Sequence, residues 1–182
     1  MVSMKYFLLF ISFFLMTAFV LPDKEINSID WLSWEELQQK QQNNPKKVFV
    51  DVYTSWCYWC KKMDKETFTH PDIISYINEN FYAVKFDAET EDVIEFKGQK
   101  YKFVKGGKGK RGYNELAASL LSGNMSYPTL VFLDEKLNLL TGVPSYATPS
   151  SLDAMLHFFN EEQYKNTKWA DFEETFKSKI EK

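Results

Sequence analysis

The feature that most constrains this chain is a Cys-x-x-Cys pair, Cys57 and Cys60, directly after a short apolar run at residues 47–54. The run is rich in β-branched and aromatic residues and predicts a buried strand, whereas residues 57–68 have helical composition. Cys57 is therefore expected at a helix N-terminus, where free backbone N–H groups and the helix dipole stabilise a thiolate. Cys60 follows one turn deeper on the same face, so the pair can cycle between dithiol and disulfide.

Other uses of the two cysteines are less compatible with the sequence. A disulfide-stapled scaffold needs several separated cysteines, and haem attachment needs a histidine where Lys61 stands. A zinc site needs four ligands, and the two histidines, His70 and His157, do not form a closely spaced pair. A redox pair is the main prediction, without metal or organic cofactor. A zinc site and an incidental core pair are the alternatives.

The N-terminal residues have the pattern of an export signal. Lys5 precedes 16 consecutive apolar or small residues, 6–21, a run shorter than the roughly 20 residues of a membrane-spanning helix. We expect residues 1–22 to be a signal peptide, or residues 6–21 to remain as an anchor, with a cytosolic protein as the remaining alternative. Either export hypothesis predicts a periplasmic or secreted protein, which contacts a membrane only through that segment.

The order of predicted elements indicates an α/β domain over residues 23–160. Strands alternate with helices in the first half and follow each other in the second, which predicts a mixed central sheet with helices on both faces. The chain has a net charge of −3, whereas nucleic-acid-binding proteins usually carry an excess of basic residues. No nucleic-acid partner is therefore expected. The predicted helices cover residues 34–42, 57–68, 71–80, 115–121 and 151–159, capped at Ser33, Asn114 and Ser150 or Ser151; the predicted strands cover 47–54, 81–87, 127–134 and 136–141.

Two segments stand outside this pattern. An insertion at about residues 91–112 combines a hairpin at 93–104 with a glycine-rich, basic stretch at 105–112, expected to be a solvated flexible loop. Residues 161–182 form a helical extension, expected to pack near Trp31 and Trp34; a partner-binding helix is the alternative. Its apolar residues fall on one helical face: Trp169, Phe172, Phe176 and Ile180.

The chain resembles the thioredoxin superfamily, specifically exported thioredoxin-like proteins related to the C-terminal thiol domain of Dsb-type disulfide reductases. The resemblance extends over about residues 34–160 and rests on residues 48–63, Thr67, Phe68, Asp72, residues 127–134 and Gly142. It implies a thioredoxin fold in which Cys57 is the attacking thiol and Cys60 the resolving thiol. The dipeptide between them is Tyr58-Trp59 instead of Gly-Pro, so thioredoxin's redox potential does not carry over.

The resemblance also assigns roles to residues around the dithiol. Pro128 matches a cis-proline, and the Tyr127 backbone would pair with a bound client chain, next to Trp56 on the substrate-binding surface. Asp51 matches a buried acid that assists proton transfer at the second cysteine. Independently, a carboxyl in a buried strand should have a pKa raised by desolvation. Cys57 is expected to be the exposed, acidic thiol and Cys60 the shielded one.

These features together predict an exported thiol–disulfide oxidoreductase. From the resemblance we expect a reductant of protein disulfides, acting through a mixed disulfide on Cys57 that Cys60 resolves. Its partners would be disulfide-containing exported proteins and a membrane electron donor. The alternative is a thioredoxin-fold peptide-binding or chaperone module without redox turnover. The resemblance assigns no role to the 91–112 insertion.

Overall fold

A computed structural model describes residues 27–180 of the chain. The predicted signal or anchor, residues 1–22, lies outside the described residues. Within residues 27–180, no helix is both long and apolar enough to cross a membrane.

The main sheet has five strands in the order β1-β3-β2-β8-β9. Strands β1, β3 and β2 are parallel, whereas β8 runs antiparallel to β2 and β9 antiparallel to β8. The predicted mixed sheet is therefore confirmed. The strands are β1 (Trp31–Leu32), β2 (Lys47–Tyr53), β3 (Phe81–Asp87), β4 (Ile94–Phe96), β5 (Gln99–Tyr101), β6 (Phe103–Val104), β7 (Tyr113–Asn114), β8 (Thr129–Leu133) and β9 (Leu139–Pro144).

Helices cover both faces of this sheet because alternate strand residues point to opposite sides. Phe49 of β2 belongs to a core with α2, α3 and α5, whereas Val48 and Val50 belong to a second core with α1 and α4. The helices are α1 (Trp34–Asn43), α2 (Tyr58–Glu66), α3 (Pro71–Asn80), α4 (Glu115–Leu120), α5 (Pro149–Asn160) and α6 (Trp169–Thr175), with a 3₁₀ turn at Gln163–Lys165.

Most predicted helix starts are confirmed, and one is wrong. Ser33 forms the capping box with Glu36, and the Asn114 side chain caps α4. Helix α5 is capped by Thr148 instead of Ser150 or Ser151. The Thr148 hydroxyl accepts the Ser151 N–H at 3.2 Å, and Pro149 occupies the first helical position, which suits its fixed φ.

The insertion differs from its prediction. The β4–β5 hairpin forms, but β5 ends at Tyr101 instead of continuing to Val104, and Phe103–Val104 pairs with Tyr113–Asn114. Residues 105–112 therefore connect two paired strands. The predicted strand at 136–141 begins later, at Leu139, because Asp134 closes a tight turn by accepting the Lys136 and Asn138 backbone N–H groups.

The C-terminal segment also corrects an expectation. Helix α6 ends at Thr175, so Phe176 and Ile180 follow in non-helical backbone instead of continuing one helical face. The segment packs on α5, where the Phe158 ring lies 5.2 Å from Trp169 and 5.1 Å from Phe172. Trp31 borders the same core, but Trp34 belongs to the core on the opposite face of the sheet, so the expected packing near Trp34 is wrong.

Candidate active site

Cys57 and Cys60 form a disulfide at the N-terminus of α2. The backbone turns after β2, where the Cys57 N–H donates to the Thr54 carbonyl at 3.1 Å, and Cys57 then caps α2. The Cys60 N–H donates to Cys57 Sγ at 3.1 Å. The first turn of α2 has no acidic residue, so its N–H groups and dipole act on the Cys57 sulfur without a local opposing charge. This environment stabilises a thiolate when the bond is reduced.

The expected difference in exposure between the two cysteines is absent in this disulfide state. Cys57 is 4% exposed and Cys60 2% exposed. The disulfide and the hydrogen bond from the Cys60 N–H hold the Cys57 sulfur towards the first turn of the helix. The exposure of the reduced Cys57 thiol stays a prediction, because the cysteines are joined here in a disulfide.

The Tyr127–Pro128 segment lies at the same edge of the sheet as the disulfide. Val52 at the end of β2 pairs with Thr129 at the start of β8, so Pro128 adjoins the turn that carries the cysteines. The Tyr127–Pro128 peptide bond is cis, which confirms that prediction. The Trp56 and Tyr127 rings meet edge to face, with centroids 6.0 Å apart. Burial, assisted by Glu89 and Asp87, raises the pKa of Tyr127 to about 12.

Asp51 is buried in β2 on the sheet face that α2 covers. Its Oδ2 accepts a hydrogen bond from Lys85 Nζ at 2.8 Å, whereas its buried Oδ1 has no hydrogen-bond partner among the described residues. Burial raises the pKa of Asp51, and the Lys85 charge only partly opposes this shift. The predicted direction of the Asp51 shift is confirmed. A carboxyl in this state can hold a proton at a pH where an exposed aspartate has lost it.

Lys85 links this acid to the helix that carries the cysteines, a role that the sequence analysis missed. Its ammonium also contacts the carboxylate of Asp64, which follows Cys60 by one turn of α2. Although burial lowers the pKa of Lys85, the two carboxylates raise it above its ordinary value, so Lys85 stays charged. One signal could have indicated the pairing of Lys85 with Asp51. Lys85 is a charged residue in an otherwise apolar strand, and it lies directly opposite Asp51 in the parallel register of β2 and β3.

Exposed aromatic side chains surround the disulfide. Trp56, Tyr58 and Trp59 are 47%, 70% and 50% exposed, and they are three of the five large exposed apolar side chains in the described region. Trp59 also lies 5.5 Å from the Tyr146 ring, with Lys62 Nζ over both rings. Sequence analysis did not single out Tyr146, which approaches from the β9–α5 connection. Such a concentration of exposed rings is typical of a protein-binding surface.

The part of the chain that the structure describes also bears on whether side chains here could bind a metal ion. Between residues 27 and 180, no cluster of three or more His, Cys, Asp or Glu side chains has the arrangement of a metal site.

Comparisons with known proteins agree with this geometry. The family model Thioredox_DsbH, described as "Protein of unknown function, DUF255", matches residues 16–182. The Caenorhabditis elegans uncharacterized protein B0495.5 is 31% identical over 154 residues, 84% of this chain and 19% of that protein. The thiol:disulfide interchange protein DsbD of Photorhabdus laumondii is 40% identical over 48 residues, 26% of this chain and 8% of DsbD. The chain thus spans about a fifth or less of the length of these curated relatives.

Two solved structures show the fold. A thioredoxin-fold protein from Helicobacter pylori has a TM-score of 0.55 at 21% identity, covering 72% of this chain and 80% of its own. A DsbH oxidoreductase has a TM-score of 0.53 at 17% identity, covering 78% of this chain and 92% of its own. The predicted thioredoxin fold is therefore confirmed.

Proposed function

The chain belongs to the thioredoxin-like, Dsb-related family Thioredox_DsbH, and from this premise we propose that it is a thiol–disulfide oxidoreductase that reduces disulfides of exported proteins. The observation that carries the proposal is the Cys57–Cys60 disulfide at the start of α2, at the same edge of the sheet as Tyr127 and Pro128. A bond closing so short a loop constrains the unfolded chain little, which favours a redox role over a structural one.

In the reduced protein, the Cys57 thiolate attacks one sulfur of a client disulfide. A Cys57–client bond forms, the client S–S bond breaks, and the departing client sulfur takes a proton. Cys60 then loses its proton and attacks Cys57 Sγ, which releases the second client thiol and forms the Cys57–Cys60 disulfide. The client has gained two electrons and two protons. The protein has lost the two electrons and the Cys60 proton, and the other proton comes from the solvent, which received it when the Cys57 thiolate formed.

Asp51 and Lys85 support the second step. The raised pKa of Asp51 suits it to accept the Cys60 proton, directly or through water, as the mixed disulfide resolves. Lys85 joins Asp51 to Asp64, and thereby to the helix of Cys60. In this proposal Asp51 is the proton acceptor and Lys85 a positioning residue.

Tyr127 and Trp56 form the client-binding surface in this proposal. Within residues 27–180, no described hydrogen bond uses the backbone N–H or carbonyl of Tyr127, and both can pair with an extended client segment. Trp56 supplies an exposed ring beside Cys57. Clients are disulfide-containing exported proteins, consistent with the signal-like residues 1–22, and a membrane dithiol donor returns the two electrons.

Insulin reduction by the purified protein, with dithiothreitol as the reductant, tests this function. The wild type should accelerate insulin precipitation, and Cys57→Ser should abolish the acceleration. Cys60→Ser should accumulate mixed disulfides with client proteins, because the resolving thiol is missing. These mixed disulfides should be cleaved when reductant is added.

The same experiment separates the alternative, a peptide-binding or chaperone module without redox turnover. The exposed aromatic residues around the disulfide would also suit such a module. A wild type that suppresses aggregation but reduces no disulfide, together with a Cys60→Ser variant that traps no client, would favour the chaperone and contradict the oxidoreductase.

A further inference from the structure

The insertion reaches the candidate active site through Arg111. The Arg111 guanidinium lies 4.9 Å from the centre of the Trp56 ring, a cation–π contact with the residue that precedes Cys57. Glu89 joins both partners: its Oε1 accepts the Trp56 Nε1–H at 3.0 Å, and its Oε2 lies 3.6 Å from the guanidinium. The connection between β6 and β7 is thus attached to the site by three side chains.

Two glycines of this connection lie where a side chain would not fit, so its backbone passes close to other atoms at both positions. A Cβ on Gly106 would come within 2.0 Å of the Lys110 carbonyl oxygen, and a Cβ on Gly112 would overlap the Phe103 ring at 2.2 Å. The Lys110 N–H also donates to the Gly107 carbonyl at 2.8 Å. Glycine at these two positions therefore permits the backbone course that brings Arg111 to Trp56.

The loop, defined as residues 105–112, is strongly cationic in an acidic chain. It carries three lysines and one arginine with no acid, whereas the whole chain has a net charge of −3. Arg111 is 64% exposed and retains N–H donors for another acceptor. No ion pair described for residues 27–180 involves the lysines of the loop, which are Lys105, Lys108 and Lys110.

Among the described ion pairs, the nearby carboxylate of Glu89 pairs with Arg111 and not with the loop lysines. Glu89 is already engaged by Arg111 and Trp56, and Asp87 Oδ1 accepts the Glu89 backbone N–H at 2.9 Å. The three loop lysines are exposed and lie in the same loop as Arg111, which contacts Trp56.

We propose that the cationic loop selects client proteins whose cysteine is flanked by an acidic, extended segment. This inference rests on the proposed function and specifies its substrate class. One carboxylate of the client pairs with Arg111 beside Trp56, and further carboxylates reach the loop lysines. Cations spread over an eight-residue loop suit an extended chain, whose residues advance about 3.3 Å each, better than a single small disulfide.

The test uses two disulfide-bonded peptides that differ only in having Glu or Gln on both sides of each cysteine. The wild type should reduce the Glu peptide with a kcat/KM about fivefold higher at low salt, a ratio in keeping with exposed charge pairs. The ratio should fall towards one at high salt, because exposed charges are screened. Kd values for matching peptides with Ser in place of Cys should show the same ratio, read from Trp fluorescence without turnover.

Variants assign the preference to the loop. Arg111→Gln should lower both ratios, and so should the triple variant Lys105→Gln, Lys108→Gln, Lys110→Gln, which leaves the Trp56 contact intact. Lys136→Gln is the matched control, since this exposed lysine lies in the β8–β9 turn at the other end of the sheet, and it should keep the wild-type ratios. If Arg111→Gln fails to fold, the triple variant alone decides.

The outcomes separate this inference from the proposed function. Equal wild-type rates and Kd values for the Glu and Gln peptides overturn the inference and leave the oxidoreductase intact. If the protein reduces neither peptide, the proposed oxidoreductase function is contradicted. The ratio of the two Kd values still decides the charge preference in that case. Glutathione disulfide that is reduced as fast as the Glu peptide, with the same dependence on Arg111, overturns the choice of a client segment in favour of a small anionic disulfide.

Discussion

At position 51 a carboxyl group is buried among apolar neighbours, with one oxygen paired to Lys85 and the other unpaired within the described chain. Burial penalises its ionised form more than Lys85 stabilises it, so its pKa is raised. An unpartnered buried oxygen costs stability in most proteins, and its retention here is consistent with a proton-transfer role.

Asp51→Asn should slow insulin reduction on the order of 10²-fold, because Asn cannot accept the Cys60 proton. Single-turnover resolution of the mixed disulfide, followed between pH 6 and 9, measures the affected step. Initial attack by Cys57 should change less. Unchanged resolution across this range would contradict the role of Asp51.

The same substitution should alter how stability depends on pH. Between the ordinary value of 3.8 and its raised folded pKa, Asp51 holds a proton in the folded protein that the unfolded chain has lost. The free energy of unfolding therefore falls as pH rises from about that value through the raised folded pKa. Asp51→Asn should remove this fall in urea unfolding curves of the oxidised protein, and parallel pH profiles for the two proteins would count against the raised pKa.

Lys85→Met should lower the free energy of unfolding by about 3 kcal/mol at pH 7, because it breaks the ion pairs of Lys85 and leaves the buried Asp51 carboxyl without its partner. The double variant Asp51→Asn, Lys85→Met should recover much of the loss, since the carboxylate is also gone. Lys100→Met, at an exposed position on β5, is the control and should change stability little. A double variant no more stable than Lys85→Met would show that the ion pair is not the cause.

Cys57 should be alkylated before Cys60 when the protein is reduced. Its sulfur is at the N-cap of α2, so its rate with iodoacetamide should titrate below the free-thiol pKa of about 8.5. Mass spectrometry of peptides after a short pulse identifies the modified cysteine. Because both cysteines are nearly covered in the disulfide, this prediction also requires reduction to expose Cys57, and preferential labelling of Cys60 would contradict it.

Among the elements, the β6–β7 hairpin has glycines at two positions where a Cβ would clash. Gly112→Ala should disrupt it, because the new Cβ would overlap the Phe103 ring and the Val104 carbonyl. Arg111 would then leave Trp56, and a change in Trp fluorescence together with faster amide exchange in residues 103–114 should report this. Gly107→Ala is the control, since a Cβ there meets no atom within 4 Å. Equal exchange in both variants would show that the loop is not held as described.

The C-terminal segment contributes to the core at the scale of the whole molecule. Phe172 is buried against Phe158, and the nearly buried Lys47 of β2 reaches Glu162 at 3.5 Å. Phe172→Ala should therefore lower the free energy of unfolding by about 3 kcal/mol in urea. Glu173→Ala, at an exposed position of α6, should change it little. A Phe172→Ala protein as stable as wild type would favour the alternative of a partner-binding helix.

Local patterns in the sequence predicted most of the secondary structure. Strand and helix periodicities depend on neighbouring residues, so β2, β3, β8 and the first three helices lie close to where they were expected. The structure of the C-terminal segment was harder to predict. Phe176 and Ile180 have helical spacing, but non-helical backbone also brings both side chains onto the core that includes α5.

The sequence by itself determined the mixed sheet, the Cys-x-x-Cys pair at a helix start and the raised pKa of Asp51, because each follows from local composition and strand burial. Only the tertiary structure decided the partners of these groups. Lys85 is 34 residues from Asp51 and 21 from Asp64, and Arg111 contacts a tryptophan on a different element. Strand register and the course of the insertion bring these charges together, and both depend on the packing of the whole chain, which no local pattern records.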